Sequence, residues 1–180
     1  MRAALGAGAG FLVPDGRQAV DRFVAAQQNA DGGFRGRSTV SDLYYTLFGL
    51  ECAAALELTD SIGKGRLFID SLSDGTGLDL VHLACLARCH SVLEGGGGAC
   101  GTARNAVLRQ VEHYRAADGG YAATPGEETC SVYESFLGAL AYDAAGRRVP
   151  RLLAYRSGIK QLMRAKAGGQ AGNGWDGEAT

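Results

Sequence analysis

The chain has 180 residues, of which 46% are apolar, enough for one domain with a packed core. Its 18 basic and 19 acidic residues leave a net charge of -1, so no general field draws it to nucleic acid or acidic lipid. No apolar run approaches the ~20 residues of a membrane helix. Five cysteines, an odd number without framework spacing, fit reduced thiols in a cytoplasmic protein.

Residues 1–16 read as an irregular N-terminal segment that ends in the turn Pro14-Asp15-Gly16. Their apolar part is short and glycine-rich for a signal peptide. A helix is expected from about Arg17 to Asn29, with Val20, Phe23, Val24 and Gln27 on one face. The next starts near Ser41, whose hydroxyl can cap free amides, with Asp42 in the favourable first turn. Tyr45, Phe48, Leu50, Cys52 and Leu56 make it apolar over much of its circumference, the pattern of a helix buried between others. A weaker helix, carrying Gly63 and Gly65, covers about Asp60 to Leu72. The stretch from Leu78 to Leu93 is again apolar nearly all round. Gly95 to Gly98 is a flexible connector and not a phosphate cradle, since no Lys-Ser/Thr follows it. An amphipathic helix from Thr102 to Ala116 carries Val107, Leu108, Val111 and Tyr114. Two more run from about Thr129 to Ala145 and, opening at Pro150, to about Lys166. Amphipathic and apolar helices alternate, and no strand is convincing. The expected fold class is all-α, with apolar helices inside and amphipathic ones outside.

One stretch, Gln27 to Leu56, organises the rest. Asp31-Gly32-Gly33-Phe34 leads into Ser41-Asp42-Leu43-Tyr44-Tyr45-Thr46-Leu47. Asp118-Gly119-Gly120-Tyr121 leads in the same way into Cys130-Ser131-Val132-Tyr133-Glu134-Ser135-Phe136. Between them Asp74-Gly75-Thr76-Gly77 precedes Leu78-Asp79-Leu80-Val81-His82. The turn aspartates lie 43 and 44 residues apart, a period that marks stacked helical hairpins.

These residues resemble the prenyltransferase and squalene-cyclase repeat, found in protein prenyltransferase β subunits and triterpene cyclases. The resemblance rests on Gln28-Asn29-Ala30-Asp31-Gly32-Gly33-Phe34, on Ser41 through Thr46, and on the tail's Gln170-Ala171-Gly172-Asn173-Gly174-Trp175. It covers most of residues 17–175 as one repeat domain, with 176–180 as a tail. It implies an α/α toroid in which inner helices line a deep apolar cavity and outer helices enclose it. A complete ring has about six hairpins and this chain has roughly three, so the resemblance implies about half a ring. A homodimer or a missing second half would then complete it, or the chain is a compact variant, because a bare half ring exposes more apolar surface than a soluble monomer tolerates.

In the β subunits, catalytic zinc is held by an Asp, a Cys two residues on, and a His from a later repeat. It turns a peptide cysteine into the thiolate that attacks a prenyl diphosphate. Matched residue by residue, Asp42 takes the Asp position and His82 the His position, and Tyr44 stands where the family has Cys. Glu134 takes the His position in the third repeat. Tyr binds zinc poorly near neutral pH, its reference pKa being about 10. The resemblance thus implies Asp42 and His82 as zinc ligands, Asp42, Tyr44, His82 and Glu134 as catalytic positions, and Tyr45, Phe48 and Tyr133 as ligand-lining aromatics. Arg35 and Arg37, just before the helix start, are placed for a diphosphate. No Asp-x-Asp-Asp of the cyclase kind occurs. Each residue also has a plain structural role open to it. Asp42 can serve the helix dipole, His82 the core, and the arginines an exposed loop. His82, Cys85, Cys89 and His90 form a separate candidate cluster, which core packing explains better than a metal site does. The functional expectation is a prenyltransferase-like protein that binds an isoprenoid or similar apolar ligand, with prenyl transfer open. The alternative is a non-catalytic helical-repeat module that binds a protein partner.

Overall fold

A computed structural model describes residues 2–94 and 101–169 of the chain. Gly95 to Gly98 and the tail's Gln170 to Trp175 lie outside them. The described residues form eight helices: α1 (Arg2–Ala9), α2 (Pro14–Ala26), α3 (Leu43–Ala55), α4 (Thr59–Ser71), α5 (Leu80–Leu93), α6 (Thr102–Glu112), α7 (Val132–Ala144) and α8 (Leu152–Gly169). Among them the only extended pairings are isolated bridges between Gln28 and Phe34 and between Arg115 and Tyr121. The expected all-α class is present. No helix among the described residues is long and apolar enough to cross a membrane.

Three expectations need correction. Residues 1–16 are not irregular: α1 forms there and packs on α3, with Ala9 against the core, and Pro14 opens α2. Tertiary packing outweighs the glycine content of this segment. The cap of α3 is Asp42 and not Ser41. Asp42 Oδ1 accepts from the Tyr44 amide at 2.8 Å and the Tyr45 amide at 3.2 Å, while Ser41 Oγ donates to Asp31 Oδ1 at 2.7 Å. The last helix begins at Leu152, beyond Pro150.

The apolar helices α3, α5 and α7 pack side by side, and α4 and α6 pack across the joins from outside. Their directions follow from cross-links. Asp42, at the start of α3, faces His82, at the start of α5, and Glu51 further along α3 pairs with Arg88 further along α5. The two helices therefore run parallel. Arg104, at the start of α6, pairs with Glu94 at the end of α5 and donates to the Ala144 carbonyl at the end of α7. So α6 runs against both, and α7 is parallel to α5. The starts of α3, α5 and α7 lie at one end of the layer.

The glycine turns set this register. Gly32 and Gly119 adopt φ of +90° and +98°, and a Cβ on either would strike the backbone of the outer helix, at Lys64 and Ala154 respectively. The next aromatic then enters the core. Phe34 and Tyr121 are 2% and 0% exposed, and their rings lie on Gly49 of α3 and Gly138 of α7, where a Cβ would overlap them. Their amides donate to Thr46 Oγ1 at 2.9 Å and Ser135 Oγ at 3.0 Å. The first and third repeats thus share one clamp. The middle repeat has Gly77 in place of the aromatic, Leu83 in place of the hydroxyl residue and Leu86 in place of the helix glycine, and so makes neither contact, in keeping with its weak sequence match.

Candidate functional site

The parallel register aligns equivalent positions in rows. The caps Asp42, Asp79 and Ser131 form the first row, each accepting from backbone amides of its own helix. Tyr44, Val81 and Tyr133 form the second; Tyr45, His82 and Glu134 form the third. The structure therefore brings Asp42, Tyr44, Tyr45 and His82 to the same end of neighbouring helices.

His82 is the centre of the polar part. Its Nδ1 lies 2.7 Å from Asp79 Oδ1, and its Nε2 lies 3.9 Å from Asp42 Oδ2. Burial opposes the ionisation of Asp79, but the hydrogen bonds from the His82 amide and ring outweigh it and hold its carboxyl below the usual range. An ionised Asp79 only accepts, so Nδ1 carries the hydrogen and Nε2 is turned toward Asp42. This is a histidine held in one orientation by a carboxylate, with its second nitrogen free to take or give a proton.

Beside it, α3 presents an aromatic group. Tyr44 meets Phe48 edge-on at 4.9 Å between ring centres and Tyr45 at 5.6 Å. These three rings are 41–46% exposed, although α3 is one of the most apolar helices. Tyr133, on α7, is 56% exposed. The aromatics expected to line a ligand site are thus at the surface of the inner helices and outside the core.

Other expected residues stand apart. The Arg35 guanidinium donates to the Ala26 carbonyl at 3.0 Å, which ties it to the end of α2. Arg37 is exposed in the loop before α3. Glu134 lies in the first turn of α7, where its amide donates to Ser131 Oγ at 3.2 Å.

Among the described residues no three His, Cys, Asp or Glu side chains come together to hold a metal ion. The His82, Cys85, Cys89 and His90 cluster does not converge. Cys89 and His90 are buried in α5, and burial pushes the Cys85 thiol up to about 11, away from the thiolate a metal needs. Asp42 and His82 supply two donors, one fewer than the three protein ligands of a catalytic zinc site. The described residues by themselves do not complete the zinc centre that the resemblance implies.

The pair Glu51 and Arg88, 2.5 Å apart and side by side in the inner layer, escaped sequence reasoning. A signal was present: each is the only acidic or basic residue other than histidine in its helix. A lone charge at matching places in two apolar helices implies a buried pair. No protein-family model, curated protein or solved structure matches the chain.

Proposed function

We propose that α3, α5 and α7 are part of the inner wall of an α/α toroid of the prenyltransferase and squalene-cyclase kind, and that this wall binds an isoprenoid or similar apolar ligand. The observation that carries the reading is the exposed cluster of Tyr44, Tyr45 and Phe48 immediately beside the His82–Asp42 pair. Large aromatics from an apolar helix stay exposed where a ligand covers them. Tyr133 extends the same wall on α7. The ligand's apolar chain would lie across the rings, with its polar end toward His82 and Asp42. If the ligand reacts, His82 is the group able to move a proton, at Nε2, with Asp79 holding the ring. Arg37 is the nearest cation in sequence to this end that makes no ion pair among the described residues, and it suits a diphosphate.

Calorimetric titration of the full chain with farnesol and with farnesyl diphosphate tests this. The expected result is saturable binding of both, weakened about tenfold by Phe48→Ala, a loss of roughly 1.4 kcal/mol of ring contact. His82→Gln is expected to weaken only the diphosphate. Absence of binding by the unaltered chain refutes the reading and leaves the repeat module with a protein partner.

A further inference from the structure

The repeat register identifies one face as an uncovered joint. The clamp contacts place each residue of α7 89 positions after its counterpart in α3: Gly138 after Gly49, Ser135 after Thr46, and Ser131 after Asp42. On α3, Leu43, Leu47 and Leu50 form a stripe that is 5%, 1% and 0% exposed. The same stripe on α5 is Leu80, Ala84 and Ala87, at 2%, 1% and 0%. On α7 it is Val132, Phe136 and Ala139, and here Val132 is 50% exposed and Phe136 57%. The apolar pattern is kept, but the covering element is not among the described residues. The stripe forms one wall of an apolar groove of about 530 Å³, whose other wall is Tyr155, Arg156, Ile159 and Lys160 of α8. At the opposite edge of the layer α3 is covered by α1, so among the described residues this edge is closed where the α7 edge is open.

We propose that the α7–α8 edge is the contact surface of a two-fold homodimer, a second copy of this chain being the occupant. The charge arrangement selects it. Arg156 and Lys160 lie at the groove and make no ion pair among the described residues. Asp143 continues the Val132, Phe136, Ala139 stripe one further step, at i, i+4, i+7 and i+11, and is exposed, making no ion pair among the described residues. Because α8 runs back along α7, Lys160 sits at the Val132 end and Asp143 at the other. A two-fold axis between Phe136 and Ala139 lays α7 antiparallel on its copy. It sets each Asp143 by the other chain's Lys160 and Arg156 and buries both Phe136 rings. A surface with opposite charges at the two ends of an apolar stripe is its own complement under that rotation.

Sedimentation equilibrium on the full chain is the test, with Phe136→Asp, Lys160→Glu and the double variant Asp143→Lys/Lys160→Glu. The expected results are a dimer for the unaltered chain, about a hundredfold weaker with Phe136→Asp, and about tenfold weaker with Lys160→Glu. The double variant is expected to regain the original affinity, since reversing both charges restores the pair. On a Cys52→Ser/Cys100→Ser background, Ala139→Cys should be joined to its own copy by a short bismaleimide that leaves the background protein unjoined. A monomer at all concentrations, or a dimer indifferent to Phe136→Asp, overturns the proposal. A dimer weakened equally by Phe11→Asp in α1's trailing loop, with no rescue by the double variant, also overturns it and assigns the edge to a head-to-tail contact. Circular dichroism on each variant separates loss of the dimer from loss of the fold.

Discussion

Replacing Gly49 by Ala should destabilise the protein, against the ordinary rule for helices. In a helix interior Ala is favoured over Gly by ~1 kcal/mol. Here the added Cβ would enter the space of the Phe34 ring. The ring cannot withdraw freely, being 2% exposed, and its own amide is bonded to Thr46 Oγ1 at 2.9 Å. Over-packing a well-filled core costs about 1–3 kcal/mol. Set against the propensity gain, the net loss is on the order of 0–2 kcal/mol. Urea unfolding measures it as a lower midpoint at unchanged slope. The mechanism has its own signature in a double-mutant cycle with Phe34→Leu. That change costs stability alone by leaving space over Gly49, and in its presence Gly49→Ala should become neutral or stabilising. A Gly49→Ala protein with a raised midpoint would refute the clamp and reduce Gly49 to an ordinary helix glycine. Gly138→Ala, beneath Tyr121, should behave alike, because the third repeat builds the same contact.

Arg88→Met should cost about 3–5 kcal/mol by leaving the Glu51 carboxylate unpaired in the core. The double change Glu51→Leu/Arg88→Met should recover most of it, and equal losses in the single and double variants would show that the pair itself is not the cause. His90 should make stability pH-dependent. Burial lowers its pKa, and its Nε2 is buried without a hydrogen-bond partner. The unfolded chain therefore binds the proton more readily. The stability is fully present above the unfolded value of about 6.5 and falls as pH drops below it, by at most about 1.4 kcal/mol per pH unit. Unfolding midpoints at about pH 7 and about pH 5 should differ in the unaltered protein and converge in His90→Leu. The lowered carboxyls of Asp79, Asp118 and Glu112 act in a separate window: their contribution is present above the unfolded carboxylate values near ~4 and is lost only below them.

Much of the helical layout was legible in the sequence because its signals are local. Apolar spacing separated the inner helices from the outer ones, and Asp-Gly turns followed by capping residues marked where inner helices begin. Such features depend on residues within a turn or two of each other, so the chain carries them without reference to its fold. The same locality explains the errors. Ser41 and Asp42 are both capping residue types, and only the path of the Asp31 turn, which engages the Ser41 hydroxyl, leaves the cap to Asp42. The α1 segment has weak intrinsic helicity and forms against α3.

The candidate site was legible in part. Asp42, Tyr44, Tyr45 and His82 could be named from repeat register, and the structure sets them at one end of neighbouring helices. Tertiary structure alone decided that His82 faces Asp42, that among the described residues no third metal donor reaches the pair, and that Glu51 meets Arg88. Each joins residues on separate elements or depends on what surrounds them, and their distances follow from how the helices pack. The sequence wrote the same apolar stripe into α3, α5 and α7 alike. Only packing determined that two copies are buried and the third is exposed, because burial belongs to the neighbour a surface finds and not to the residues that form it.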